Sequence, residues 1–285
     1  MLSVDVRKLA HAPLGTFIAE RLGRSAGTSK LAQTCGFDPL LALDQLALAI
    51  PSADLAASAH PDFGIVANGR FSAAEITRCA STAISARGSE AIRTKLGSFD
   101  TVRDRNASNG EIAAKDGLVI VSGGSYFRDL LDSAERAPRA PGRDDARSLK
   151  HGELRRALGP GAVVVSWLLG EGWFERVAGG ETNARLSPLS ALKSVGARMN
   201  VDKTAELQLL LECADKDGAS RISSLLGELQ SALDTLPLDP ALKTIAKRLT
   251  VEQTEARLRL DLALTQAELI PLLDLLGAQT TGVEP

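Results

Sequence analysis

The eight residues Arg257-Leu258-Arg259-Leu260-Asp261-Leu262-Ala263-Leu264 carry a leucine at every second position. A period of two is the mark of a β-strand with one buried face, because successive side chains point to opposite sides of the pleat. Val195, Ala197, Met199 and Val201 repeat the pattern, and so do Leu207, Leu209, Leu211 and Cys213. Strands of this kind, apolar on one side and mostly polar on the other, predict antiparallel sheets with helices laid on the apolar face.

Helical segments alternate with these strands. Leu14, Ile18 and Leu22 share a face in a helix predicted over Ser3 to Arg21. A strand over Asp44 to Ile50 stops at Pro51, and Phe63 to Phe71 reads as a second strand. Ser72-Ala73-Ala74-Glu75 has capping-box spacing and starts a helix through Ile76, Cys79, Ala80 and Ala83. Asp116-Gly117, between Glu111–Lys115 and Leu118–Ser122, predicts a two-residue hairpin, and Tyr126 to Ala134 a helix. Farther on, a short helix near Glu153 to Leu158 precedes a strand over Ala162 to Leu169. Asp217-Gly218 opens a helix with Ile222, Leu225, Leu226, Leu229 and Leu233 on one stripe, followed by one through Leu242, Ile245, Ala246 and Leu249. Thr265 and Glu268 form another capping box, leading into Leu269 to Leu276.

The prolines and charges around Ala137 to Asp145 divide the chain. Residues 1–136 form an N-terminal half, 137–148 a linker, 149–277 a C-terminal half and 278–285 a frayed tail. At an offset of 146, Ile65 pairs with Leu211, Ala67 with Cys213, Ile76 with Ile222 and Ala80 with Leu226, which predicts an internal duplication. The expected fold is therefore α+β: two similar halves, each an antiparallel sheet with helices packed on one face.

Composition excludes several functions. The 33 basic and 35 acidic residues leave a net charge of -2, so no overall field draws the protein to nucleic acid. No stretch approaches the roughly 20 apolar residues of a membrane-spanning helix, and Met1 to Asp5 does not read as a secretory signal. Cys35, Cys79 and Cys213 lack C-x-x-C spacing for zinc or redox work. Cys213 lies on the inward side of its strand and is expected buried and unpaired. Cys79 lies on the apolar face of its helix, and Cys35 precedes a strand expected to neighbour it. Those two either form a disulfide or remain separate buried thiols, the state expected in a reducing cytoplasm.

Val4-Asp5-Val6-Arg7, His11-Ala12-Pro13-Leu14-Gly15, Cys35-Gly36-Phe37-Asp38-Pro39 and the stretch around Gly69-Arg70-Phe71 resemble a group of uncharacterised bacterial envelope proteins. These are duplicated α+β chains, usually behind an export or lipoprotein signal. The resemblance implies an extracytoplasmic location in the periplasm or envelope, set against a cytoplasmic one. It supplies no activity.

No motif completes a catalytic set. Ser190-Ala191-Leu192-Lys193 matches S-x-x-K, in which a lysine amine sits beside a nucleophilic serine, but the companion S-D-N and K-T-G elements are missing, Lys203-Thr204-Ala205 lacking the glycine. Gly27-Thr28-Ser29-Lys30 has the wrong order for a phosphate loop. Ser122-Gly123-Gly124-Ser125 reads as a serine cap before an anion site. His11, His60 and His151 have no paired metal-ligand spacing, and Asp215-Lys216-Asp217-Gly218 lacks the glutamate that closes a calcium loop. No cofactor or metal is expected. Trp167, Trp173 and Phe174 fall within eight residues of a chain with only ten aromatics, around Gly170 and Gly172; they form either core or a partner surface on a glycine-containing loop. The function these residues imply is a non-catalytic binding or structural module whose partner is a protein or envelope component. The alternatives are a serine hydrolase using Ser190 and Lys193, and a cytoplasmic assembly subunit.

Overall fold

In the computed structural model, the described residues are 1–16, 28–38, 41–50, 62–107, 110–124, 126–135, 146–177, 185–235, 237 and 239–269, with the side chains of 28–31 and 146–148 excepted. Two units divide the chain, one of Met1–His11 and Thr16–Asp145, the other of Ala12–Gly15 and Ala146–Pro285. The stretch read as a linker lies outside the described residues except for 146–148, and so does the tail at 278–285.

The first unit runs β1 (Leu2–Asp5), α1 (Val6–His11), α2 (Thr28–Cys35), β2 (Leu43–Ala49), β3 (Phe63–Gly69), α3 (Ala73–Ala86), β4 (Ala91–Leu96), β5 (Phe99–Asp104), β6 (Glu111–Lys115), β7 (Leu118–Gly123), α4 (Tyr126–Glu135). Its strands lie in the order β1-β2-β3-β7-β6-β5-β4, all antiparallel. Ser3–Asp5, expected to be helical, is strand: Leu2 to Asp5 pair with Leu48 to Gln45, and tertiary pairing overrides the local helical spacing.

Register assigns the faces. Thr94, Thr101, Ala113, Ile120, Val66 and Ala47 stand opposite one another in successive pairs, so they share a face. Phe127 and Leu131 of α4 pack there against Phe99, Ala113 and Ile120. Arg93, Val102, Ile112, Val121, Ile65 and Leu48 share the other face, where the Arg93 Nε–H donates to Ser81 Oγ of α3 at 2.8 Å. Helices therefore cover both faces, and the expectation of helices on one face is corrected. The reason lies in β7: Val119, Ile120 and Val121 are consecutive, so neither face of the strand can be left to water.

α3 begins as read. Ser72 Oγ accepts from the Glu75 amide and Glu75 Oε2 from the Ser72 amide, while Asp116 Oδ1, in the β6–β7 turn, accepts from the Ala73 amide. Gly117 supplies the positive φ of 76° that this two-residue turn requires.

The second unit contains α5 (Ala146–Leu158), β8 (Val163–Leu168), α6 (Trp173–Val177), a 3-10 helix (Ser187–Ala191), β9 (Leu192–Val201), β10 (Ala205–Cys213), α7 (Lys216–Ala232), α8 (Pro240–Lys247), β11 (Thr250–Thr254) and β12 (Arg257–Leu264). Its antiparallel strand order is β8-β9-β10-β12-β11. α5 starts at Ala146 where linker was expected, with Gly152 accommodated in its interior.

Leu209 and Leu211 share a face with Leu258 and Leu260, and Ala219 and Ile222 of α7 close over it, Ile222 and Leu258 being fully buried. Leu210 points the other way, into a cluster with Leu154 and Leu158 of α5 and Val164. This sheet too is covered on both faces. α5 approaches closely enough that a Cβ on Gly196 would meet Leu158 Cδ1 at 2.8 Å and Leu154 Cγ at 3.0 Å.

Gly196→Ala should thus destabilise by about 1–3 kcal/mol through overpacking. Gly227→Ala, on α7 with open space around its Cβ, should stabilise by about 0.5–1 kcal/mol. Urea midpoints of the two variants check both signs; equal shifts in one direction would contradict the packing described.

Candidate functional site

The three aromatics, which the sequence leaves as core or as a partner surface, separate. Trp173 and Phe174 sit in α6, not on a loop, with ring centroids 5.7 Å apart and planes at 79°. Phe174 is buried, and Trp173 packs beside Leu192 and Ile222 while its Nε1–H donates to the Leu192 carbonyl at 3.1 Å. Phe174 is core, and Trp173 is half-buried against it with its indole N–H satisfied. Trp167 differs: it lies on β8 and is 48% exposed. Its cross-strand partner is Val195, and the same face carries Val165, Ala197, Val163 and Met199, all only partly buried.

The S-x-x-K residues do not make a nucleophile. Ser190 lies in the 3-10 helix, where its hydroxyl donates to the Ser187 carbonyl at 2.7 Å, and Lys193 is exposed on β9. An activated serine needs a base in that place. Among the histidines, His11 is exposed on α1 and His60 lies outside the described residues. His151 of α5 has its Nδ1 2.9 Å from Ser166 Oγ on β8. Sequence spacing gave no hint of this pair, which a helix–sheet crossing creates. Ser166 is fully buried, so the pair bridges α5 and the sheet; a substrate cannot reach its hydroxyl.

Two other glycine-rich or acidic signals resolve as local structure. A Cβ on Gly124 would overlap the Asp62 carboxylate, so the loop before α4 already holds an anion of the protein itself. Asp215 caps α7, its Oδ1 accepting from the Gly218 amide at 2.6 Å. No group of three or more acidic, histidine or cysteine side chains suited to a metal occurs among the described residues.

Cys35 at the end of α2 and Cys79 on α3 are joined by a disulfide, with Cα atoms 4.3 Å apart. Cys213 is a buried free thiol, and burial pushes its pKa up. The disulfide ties α2 to α3 across 44 positions of sequence.

An open cleft of about 290 Å³ runs along α7, lined by Arg185, Ser220, Arg221, Ser224, Leu225 and Glu228. Pro188 closes one side. Ser220 Oγ accepts from Gln253 Nε2 at 3.0 Å and donates to Gln253 Oε1 at 3.4 Å, while Nε2 also lies within 3.4 and 3.3 Å of the Lys216 and Glu255 carbonyls. The hydroxyl at this end of the cleft is therefore held in place by Gln253 of β11. Sequence reading missed the cleft. The polar spacing of Ser220, Ser224 and Glu228 was visible, but nothing marked Arg185 as their neighbour.

No protein-family model matches the chain, and no curated protein matches it in sequence. Among solved structures, crystal form I of TP0453 is similar at 12% identity and a TM-score of 0.48, over 95% of this chain and 92% of that one. It is a distant likeness from which no ligand or activity transfers. Among the described residues, no helix is long and apolar enough to cross a membrane.

The His151–Ser166 bridge has a pH consequence. Burial lowers the folded-state pKa of His151 below its ordinary value, so the unfolded chain takes up the proton first. Its contribution is present above about pH 6.5 and is lost as pH falls from there through the folded-state value. His151→Gln should lose less stability than the parent between pH 8 and pH 5.5, as read from urea midpoints. Identical losses would show that His151 does not titrate with unfolding.

Proposed function

We propose that this chain is a non-catalytic binding or structural module of a bacterial envelope. The single observation that carries the reading is the Cys35–Cys79 disulfide, a bond that forms and persists in oxidising, extracytoplasmic compartments. The engaged hydroxyl of Ser190 and the buried one of Ser166 support the non-catalytic half.

The contact surface in this reading is the exposed stretch of β8 and β9 around Trp167, on the same side of the sheet as Leu209, Leu211 and α7. A large aromatic nearly half exposed, with Met199 and β-branched residues on its face, has the composition of a protein–protein interface core. The partner is a protein of the envelope. Trp173 packs on the same side of the sheet, against the cluster of Leu192, Ile222 and Leu258.

The two units also support an origin by duplication. The order β1-β2-β3-β7-β6 in one matches β8-β9-β10-β12-β11 in the other, with a helix after the third strand of each. Ile65 and Leu211 both lie on the face that this helix covers. The inward helix residues Thr77 and Ala80 match Ile222 and Leu225 at an offset of 145, one residue from the strand offset of 146.

A photo-crosslinking residue at position 167, expressed in the native cell, should give one discrete adduct with an envelope protein, and the same residue at the exposed position 206 should not. A fluorophosphonate should leave Ser190 unlabelled. Adducts only with lipid or with a second copy, or equal adducts at both positions, would contradict the reading; stoichiometric labelling of Ser190 would replace it with the hydrolase.

A further inference from the structure

The cleft along α7 carries opposite charges toward its two ends. Ser220 and Arg221 stand at one end and Glu228 at the other, with Ser224 between them and Leu225 in the apolar wall. At 1.5 Å per residue, Arg221 and Glu228 are roughly 10 Å apart along the helix axis. A phosphate at Arg221 would leave Glu228 unused, and a free amino acid is too short to reach both ends. An extended peptide of three residues spans roughly 10 Å, at about 3.3 Å per residue.

From these features the geometry points to a site for short free peptides, with the C-terminal carboxylate at Arg221 and the N-terminal ammonium at Glu228. The guanidinium offers paired N–H donors matched to a carboxylate, and Ser220, held by the Gln253 amide, stands beside it. Leu225 and Pro188 give the peptide body an apolar wall without side-chain pockets deep enough to select a sequence. The site is independent of the Trp167 surface and stands or falls separately from it.

The test is titration of the full chain with trialanine, followed by backbone amide shifts. Trialanine should shift the amides of residues 220–228 saturably, while N-acetyl-trialanine and trialanine amide should each bind about three- to fivefold more weakly, the size of an exposed ion pair. Glu228→Gln should erase the penalty of acetylation and leave that of amidation; Arg221→Gln should do the reverse. Both side chains are exposed, so the variants' unchanged spectra elsewhere confirm folding. Capped and free peptides binding alike, inorganic phosphate displacing trialanine at equal concentration, or no saturable shift would overturn the proposal.

Discussion

Everything in this structure depends on central strands that are apolar on both sides. Leu209, Leu210 and Leu211 follow one another on β10, so no orientation of the strand can leave a face in water. α7 covers the side of Leu209 and Leu211, and α5 the side of Leu210. Each fully buried leucine or isoleucine at these junctions contributes about 1.5–3 kcal/mol, so losing either helix would expose more than a domain's net stability can absorb. In the first unit α3 and α4 cover the two faces for the same reason. Small residues make the second cover feasible: Gly196 stands where any side chain would strike Leu154 or Leu158.

Much of this was legible in the residues. Alternation located β9, β10 and β12, Asp116-Gly117 located a hairpin, and the Ser72–Glu75 capping box is present in full. At the second, the Thr265 amide and hydroxyl donate to Glu268 Oε2 at 2.8 and 2.9 Å while the Glu268 amide donates to the Thr265 carbonyl, and the Thr265 amide followed by the Arg248 guanidinium lower the Glu268 carboxyl to about 2. What escaped were elements whose stability comes from neighbours. β4 carries Arg93 and Lys95 among exposed positions, and β11 is exposed along most of its length. Their pairing with β5 and β12 makes them strands, through two-residue turns at Gly97-Ser98 and Glu255-Ala256. Glu255 accepts a positive φ of 52° there, a conformation its residue type does not advertise.

The site was less legible than the fold because function-bearing groups meet only through tertiary packing. Sequence proximity grouped Trp167, Trp173 and Phe174, yet a strand leaves the first nearly half exposed while a short helix buries Phe174 and packs Trp173 against the core. His151 and Ser166 meet across a helix–sheet crossing. The α7 cleft joins residues from the 3-10 region and the helix, and its Ser220 hydroxyl is oriented by Gln253 of β11. The cysteines were half legible: the residues offered a Cys35–Cys79 bond or two separate thiols, and the helix α2 that brings Cys35 to α3 carried no signal that decided between them.

The account rests on an oxidising home for a chain whose hydroxyls are occupied structurally. Intact mass of the unreduced protein, isolated from its native cell and alkylated under denaturing conditions, tests this most directly. One alkyl group, on Cys213, is the predicted result; three alkyl groups would mean that Cys35 and Cys79 are thiols and would contradict the extracytoplasmic assignment.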